Sequence, residues 1–303
     1  MKILFEENEL EFNELKGPLF TEKKVSLSIA RLDKIHPIIS GNKLFKLHYF
    51  LAEALKDKTV PLLTFGGAYS NHLAATAYAC KITGIRSIGI VRGEKPPRLS
   101  HTLLQCESNG MELHFISREL YRNKDSGDFK AKLQNDLGKC IIVPEGGYHP
   151  LGADGAALIM DKLKTKYASH VCTAVGTATT LAGLLKNSTP DQRIIGIPVL
   201  KEMNDLDQRI AYLCNNRHFS NLFIFDNYHF GGYAKKTNEL IVFMNDLFRE
   251  YTIPTDFVYT AKMMYAVIDK IREGFFAAGS NIICLHTGGL QGNDSLEPGT
   301  LVF

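Results

Sequence analysis

No Cys-x-x-Cys pair occurs in the chain, and its six cysteines (Cys80, Cys106, Cys140, Cys172, Cys214, Cys284) have no histidine at metal-ligand spacing. Structural zinc and a disulfide framework are both disfavoured, and cysteines set in apolar patterns read as reduced core residues. Long apolar runs are missing too. The N-terminal run, Met1 to Phe5, is too short for a signal peptide, and no later run has membrane-spanning length. The expectation is a cytoplasmic chain with no membrane partner. Charge of either sign is modest: 22% of residues are charged and the formal net charge is +3, so nothing marks a nucleic-acid partner. Tryptophan is absent, which decides nothing. What remains is 303 residues of ordinary composition, enough for one large or two moderate domains with a sizeable core.

The pattern from residue 60 onward is repetitive in kind, though not in sequence. Short β-branched or apolar runs at 60–65, 87–91, 112–116, 140–143, 170–175, 193–198, 221–226 and 281–285 read as strands. Between them lie runs with helical periodicity at 70–83, 99–109, 129–137, 155–166, 180–185, 205–214, 237–250 and 262–273. Strand and helix alternating through short polar links specify an α/β fold, with mostly parallel open sheets flanked by helices in two unequal lobes. Residues 25–32 alternate as one more strand, and the segment after Lys43 reads as a helix reaching about Lys56.

Ligands of such sheets bind beyond the carboxyl ends of strands, so those ends carry the functional information. Ser40-Gly41-Asn42-Lys43-Leu44-Phe45-Lys46 opens the early helix with two lysines three apart on one face, at the end where the helix dipole disfavours cations. A lysine whose ammonium form is disfavoured can act as an amine nucleophile or base. A second lysine beside free helix amides makes a phosphate seat. Taken alone, the stretch reads first as ordinary surface lysines. Gly66-Gly67-Ala68-Tyr69-Ser70-Asn71-His72 runs straight from strand to helix, with Ser70 as N-cap, and is either an ordinary capped turn or a carboxylate site.

Gly176-Thr177-Ala178-Thr179-Thr180 offers hydroxyls and amides without bulk, suited to a phosphate. It is neither a Walker loop nor the dinucleotide glycine fingerprint. His286-Thr287-Gly288-Gly289 follows the last strand; its histidine has no second ligand at metal spacing and reads as a satisfied core histidine. Tyr233, after Gly231-Gly232, and Tyr259 are either half-buried caps on the core or acids, bases and substrate clamps.

Ser40-Gly-Asn-Lys-x-x-Lys46, Gly66-Gly-x-x-Ser-Asn71, Gly176-Thr-x-Thr-Thr180 and His286-Thr-Gly-Gly289 occur in this order. Together they resemble the 1-aminocyclopropane-1-carboxylate deaminase and D-cysteine desulfhydrase family, pyridoxal-phosphate enzymes of the tryptophan-synthase-β-like fold. The likeness spans nearly the whole chain. It implies a small α/β domain at 47–150, a large cofactor-binding domain at 1–46 plus 151–303, and a homodimer. Position by position, it implies that Lys43 is the Schiff-base lysine and that Lys46, with Gly176, Thr177, Ala178, Thr179 and Thr180, holds the cofactor phosphate. It likewise places Asn71 on the cofactor's ring hydroxyl, Ser70, Asn71 and His72 on a small amino-acid substrate, and Tyr259 and Tyr233 in catalysis.

Thr260 and Thr287 fall where the family surrounds the pyridine nitrogen. Ring-opening members resemble one another in having glutamate and leucine at these positions, so two threonines resemble the desulfhydrase branch and imply β-elimination from a D-amino acid. Departures are Phe45, where arginine is common, His72, where glutamine is common, and the tail from Leu290 to Asn293. The readings left beside it are 1-aminocyclopropane-1-carboxylate deaminase, a serine-type dehydratase, a cofactor binder without turnover and a nicotinamide oxidoreductase.

Overall fold

The computed structural model describes residues 9–39, 41–164 and 166–303. Ser40, the whole N-terminal apolar run and Thr165 of the expected helix 155–166 lie outside them. The chain opens with β1 (Phe12–Leu15), α1 (Pro18–Lys23) and β2 (Ser26–Ala30), then the lysine-bearing α2 (Asn42–Ala54). Alternation follows: β3 (Leu62–Gly66), α3 (Asn71–Thr83), β4 (Ser87–Arg92), α4 (His101–Ser108), β5 (Met111–Ile116), α5 (Arg118–Tyr121), α6 (Gly127–Leu137) and β6 (Ile141–Val143). It resumes with α7 (Pro150–Leu163), β7 (His170–Val175), α8 (Thr179–Asn187), β8 (Arg193–Pro198), α9 (Leu206–Leu213), β9 (Leu222–Ile224), α10 (Asn238–Tyr251), α11 (Thr260–Arg272) and β10 (Asn281–Leu285).

Two sheets result, ordered β1-β2-β10-β7-β8-β9 and β5-β4-β3-β6. Every pairing is parallel except β1 with β2, as strand-helix alternation requires. Strand order reverses direction beside β3 and β6 in one sheet and beside β10 and β7 in the other. The four motif loops leave the carboxyl ends of those strands or, in α2, meet them. Crevices at such reversals are where α/β sheets bind ligands.

One apolar core ties the sheets together. Leu62, Ala79 and Val143 on the small-sheet side join Leu44, Phe45, Leu47 and Leu51 of α2, then Ala153, Ala156, Leu184, Val171 and Leu285. Phe45, where the resemblance implies arginine, is fully buried in this cluster, so it fills the core. α2 runs unbroken across position 46/47 and packs closely on α7. A Cβ on Gly155 of α7 would lie 2.1 Å from the Phe45 carbonyl oxygen. That absence of a side chain lets two helix backbones touch and seats α2 deeply.

α7 starts at Pro150, five residues before the expected position. The reason is local: Pro occupies the first turn and His149 Nδ1 accepts from the Leu151 amide at 3.1 Å. α11 likewise begins at Thr260 rather than Lys262. β1 and α1 were not expected at all; four residues of β1 pair on an edge, too few to show a period.

Gly41, the N-cap of α2, has φ 70° and ψ −145°, a region open essentially only to glycine. A Cβ there would stand 1.9 Å from the Thr287 carbonyl oxygen. The same carbonyl accepts from the Asn42 amide at 3.3 Å, so the lysine helix is docked on the loop after β10. Gly41→Ala is expected to cost about 3 kcal/mol or more through strain and overpacking. A urea midpoint unchanged from wild type would contradict this close approach.

Candidate active site

The carboxyl ends of the two sheets face each other. Gly146, after β6, sits where a Cβ would be 2.9 Å from Thr177 Cγ2 of the loop after β7; at Gly289, after β10, one would be 2.9 Å from Asn71 Nδ2 at the start of α3. Lys43, Lys46, Asn71, His72, Gly176, Thr177, Ala178, Thr179, Thr180, Tyr259, Thr260 and Thr287 all stand on the loops and helix starts of this crevice. Ser70 caps α3 by accepting from Leu73 N at 3.2 Å. Tyr233 stands at the rim, half exposed, with its hydroxyl 3.5 Å from that of Tyr259 and the two rings edge-to-face at 6.0 Å.

Lys43 lies in the first turn of α2 and donates to Asn42 Oδ1 at 2.7 Å. Asn42 Nδ2 in turn donates to Thr180 Oγ1 at 2.8 Å, which orients the asparagine and ties α2 to the start of α8. Burial pulls the Lys43 ammonium down to about 8, with Asp256 opposing. Lys46, one turn on, is 5% exposed and makes no ion pair among the described residues. Burial first, and the charge on Lys43 second, hold it well below the ordinary lysine value. Half-buried Lys43 and buried Lys46, neither in an ion pair among the described residues, describe a place that accepts an anion.

The helix ends complete that place. Ala178 takes a left-handed conformation, φ 65°, ahead of α8, and no side chain caps the helix. The Thr177 and Thr179 hydroxyls lie 2.9 Å apart at the same end. Uncapped amides, hydroxyls and a buried lysine fit a phosphate group. On the opposite wall, His72 is 3% exposed, and burial with the two lysines depresses it to about 3 against an opposing backbone hydrogen bond at Pro144. Asn71 Oδ1 is buried without a partner among the described residues. A buried polar atom without a protein partner is one that a polar ligand or an ordered water can satisfy.

Three groups that sequence reasoning passed over hold this arrangement. Asp256, fully buried, lies just ahead of α11. Its Oδ1 accepts from the amides of Val258 and Tyr259 at 3.0 and 2.7 Å. Its Oδ2 accepts from the amide and hydroxyl of Thr260 at 3.0 and 2.6 Å. Lys262, also fully buried, donates at 2.8 Å to both the His229 and Gly232 carbonyls and so pins the turn that carries Tyr233. Asp33, gripped by Arg31 at 2.9 and 2.7 Å, lies 3.2 Å from His286 Nδ1, while His286 Nε2 meets the Pro254 carbonyl at 2.7 Å. His286 is thus a satisfied buried histidine bracing the loop that leads to Asp256. Asn293 in the altered tail braces it again, donating to Thr255 O at 3.0 Å and accepting from Phe257 N. Only the short spacing from Asp256 to Thr260 signalled any of this in the sequence.

A depressed lysine amine beside an anion cradle, at the switch points of two mostly parallel sheets, is the constellation a pyridoxal-phosphate-dependent enzyme requires. The family model for pyridoxal-phosphate dependent enzymes matches residues 18–288. A Thermotoga maritima protein provisionally named 1-aminocyclopropane-1-carboxylate deaminase is 31% identical over 88% of this chain and 89% of its own. The Arabidopsis thaliana bifunctional D-cysteine desulfhydrase/1-aminocyclopropane-1-carboxylate deaminase, a mitochondrial protein, is 28% identical over 84% of this chain and 70% of its own. The crystal structure of an ACC deaminase homologue superposes with TM-score 0.79 at 27% identity, covering 96% of this chain and 92% of that one. The chain belongs to the 1-aminocyclopropane-1-carboxylate deaminase and D-cysteine desulfhydrase family of pyridoxal-phosphate enzymes. Among the described residues no helix is long and apolar enough to cross a membrane.

The depressed lysine has a measurable consequence. With an amine value of about 8, roughly a tenth of Lys43 is neutral at pH 7 and nine-tenths at pH 9. Capture of pyridoxal phosphate by the apoprotein, followed in stopped flow, is expected to quicken about tenfold between these pH values and level off above. A rate that climbs about a hundredfold from pH 7 to pH 9 and is still rising above would mean an ordinary lysine.

Proposed function

We propose that this enzyme eliminates the β-substituent of a small D-amino acid, D-cysteine foremost, giving a 2-oxo acid, ammonia and sulfide. The observation that carries the reading is the pair Lys43 and Thr260: a depressed amine at the crevice floor, and a hydroxyl at the start of α11 where ring-opening relatives have a carboxylate. Lys43 would hold the cofactor covalently, and its freed Nζ, kept in line by Asn42 Oδ1, would take the proton from the substrate's Cα. Lys46 with Gly176, Thr177, Ala178, Thr179 and Thr180 would hold the phosphate, Asn71 the ring hydroxyl, and Thr260 with Thr287 the surroundings of the ring nitrogen. When bound, pyridoxal phosphate supplies the electron sink for charge left on Cα.

Ser70, Asn71 and the first amides of α3 are suited to the substrate carboxylate, and neutral His72 gives them an uncharged hydrogen-bonding neighbour. Burial, then the neighbouring Tyr233, hold the Tyr259 phenol protonated well above its ordinary range, so it can donate to a leaving sulfur. The two sheets would serve as the cores of two lobes, 47–150 and 1–46 with 151–303, closing on the substrate. Ring opening of 1-aminocyclopropane-1-carboxylate is the second reading, favoured by Asp256, a carboxylate one hydroxyl away from the proposed ring nitrogen.

The test is product analysis with D-cysteine, L-cysteine and the cyclopropane acid supplied separately. Sulfide and pyruvate in equal amounts from D-cysteine support elimination. Production of 2-oxobutyrate from the cyclopropane acid, with no sulfide from either cysteine, would transfer the assignment to ring opening.

A further inference from the structure

Thr260 has a single hydroxyl proton, and its surroundings already claim it. The oxygen stands 2.6 Å from Asp256 Oδ2 and 3.5 Å from the Asp256 carbonyl oxygen, so the carboxylate is the far better acceptor. The Asp256 backbone amide donates into the same hydroxyl oxygen at 2.8 Å. A hydroxyl has one proton and two lone pairs. One lone pair is thus the whole of what Thr260 has left for any further partner.

The carboxylate cannot readily exchange roles with the hydroxyl. Three backbone amides point at its two oxygens, and an amide can only donate. Burial holds the Asp256 carboxyl above its ordinary value despite the bonds from Thr260 and Tyr259 and the charge of His286 beside it, and it is the three donating amides that keep both oxygens acceptors. The brace from Arg31 through Asp33 to His286 and Pro254, together with Asn293, keeps the loop in this register.

We infer that Asp256, acting through Thr260, fixes the protonated state of the cofactor's pyridine nitrogen: an acceptor-only hydroxyl is satisfied by N–H and repels a bare nitrogen lone pair. This rests on the reading that Thr260 stands against that nitrogen. A lone threonine would accommodate either form. The Asp256–Thr260 pair selects one, and so gives a threonine site much of the electron-withdrawing ring that a glutamate provides directly. Asp256 is a positioning residue in this scheme, since it acts on the ring only through Thr260.

The experiment reconstitutes wild type, Asp256→Asn and Thr260→Val with pyridoxal phosphate carrying 15N at the ring nitrogen, and records its chemical shift from pH 6 to 8.5. Wild type is expected at the protonated-pyridinium position throughout. In Asp256→Asn the amide oxygen remains on the Val258 and Tyr259 amides, which turns the NH2 toward Thr260. The hydroxyl proton is then free to face the ring, and the shift is expected to move to the neutral-pyridine position, as in Thr260→Val. A wild-type shift at the neutral position, with the cofactor fixed to Lys43 by borohydride, overturns the inference and leaves the cofactor site intact. A protonated shift in all three proteins also overturns it, since Asp256 would then be only a helix cap. If borohydride fixes no cofactor on Lys43, the site reading falls and the inference with it. Should Asp256→Asn not fold, the wild-type shift and Thr260→Val decide.

Discussion

Lys43→Ala is expected to lower turnover roughly 10³-fold or more while leaving the fold intact. The residue is expected to perform two tasks, covalent attachment and proton removal from Cα, and alanine performs neither. The side chain is half-buried in the first turn of α2, and its hydrogen bond to Asn42 Oδ1 holds no other element in place. Removing an amine that is depressed to about 8 by burial takes away a desolvation cost, so apoprotein stability should be unchanged or slightly higher. Circular dichroism melting and steady-state turnover separate the two effects. Loss of turnover with an equal loss of fold would point to a structural lysine.

Lys46→Met is expected to divide in an unusual way. Methionine fills nearly the same space without a charge, so the buried apoprotein site loses its least comfortable group and should melt at the same or a higher temperature. Pyridoxal phosphate, by contrast, would lose the buried cation proposed to face its phosphate. Truncating one partner of a buried charged pair costs about 3 kcal/mol, roughly 10²-fold in Kd. Pyridoxal without its phosphate should bind the two proteins almost equally. A phosphate-independent loss of affinity would instead place Lys46 on another part of the ligand.

Much of this site could be read from the sequence because its parts are local. Glycines and hydroxyl residues after a strand specify a turn, a close approach and a helix cap with few alternatives, so the loops at 66–72, 176–180 and 286–289 were legible as edges of the crevice. Lys43 and Lys46 were legible because cations oppose the dipole at a helix start. The paired parallel sheets followed from alternation alone. The limits were long-range. Phe45 looked like a change at the site, yet a helix position three residues from Asn42 can as well face the core, and only packing against α7 decides which.

Asp256 escaped for a related reason. Ile253-Pro254-Thr255-Asp256 reads as an ordinary loop before a helix, and an aspartate there is most simply a cap. Its weight comes from full burial and from the Thr260 hydroxyl bond, both products of tertiary structure. The brace from Arg31 to His286 joins residues more than 250 positions apart in sequence. No spacing rule reaches that far. α1 and the four-residue β1 escaped because short edge elements are stabilised by their neighbours more than by their own pattern.

The most direct measurement is borohydride reduction of the purified protein with pyridoxal phosphate, followed by peptide mass mapping. The expected result is a single phosphopyridoxyl mass on Lys43, lost in Lys43→Ala and retained in Lys46→Met at saturating cofactor. A label on Lys46 or Lys262, or no label on any lysine, would contradict the assignment of Lys43 and with it the proposed chemistry.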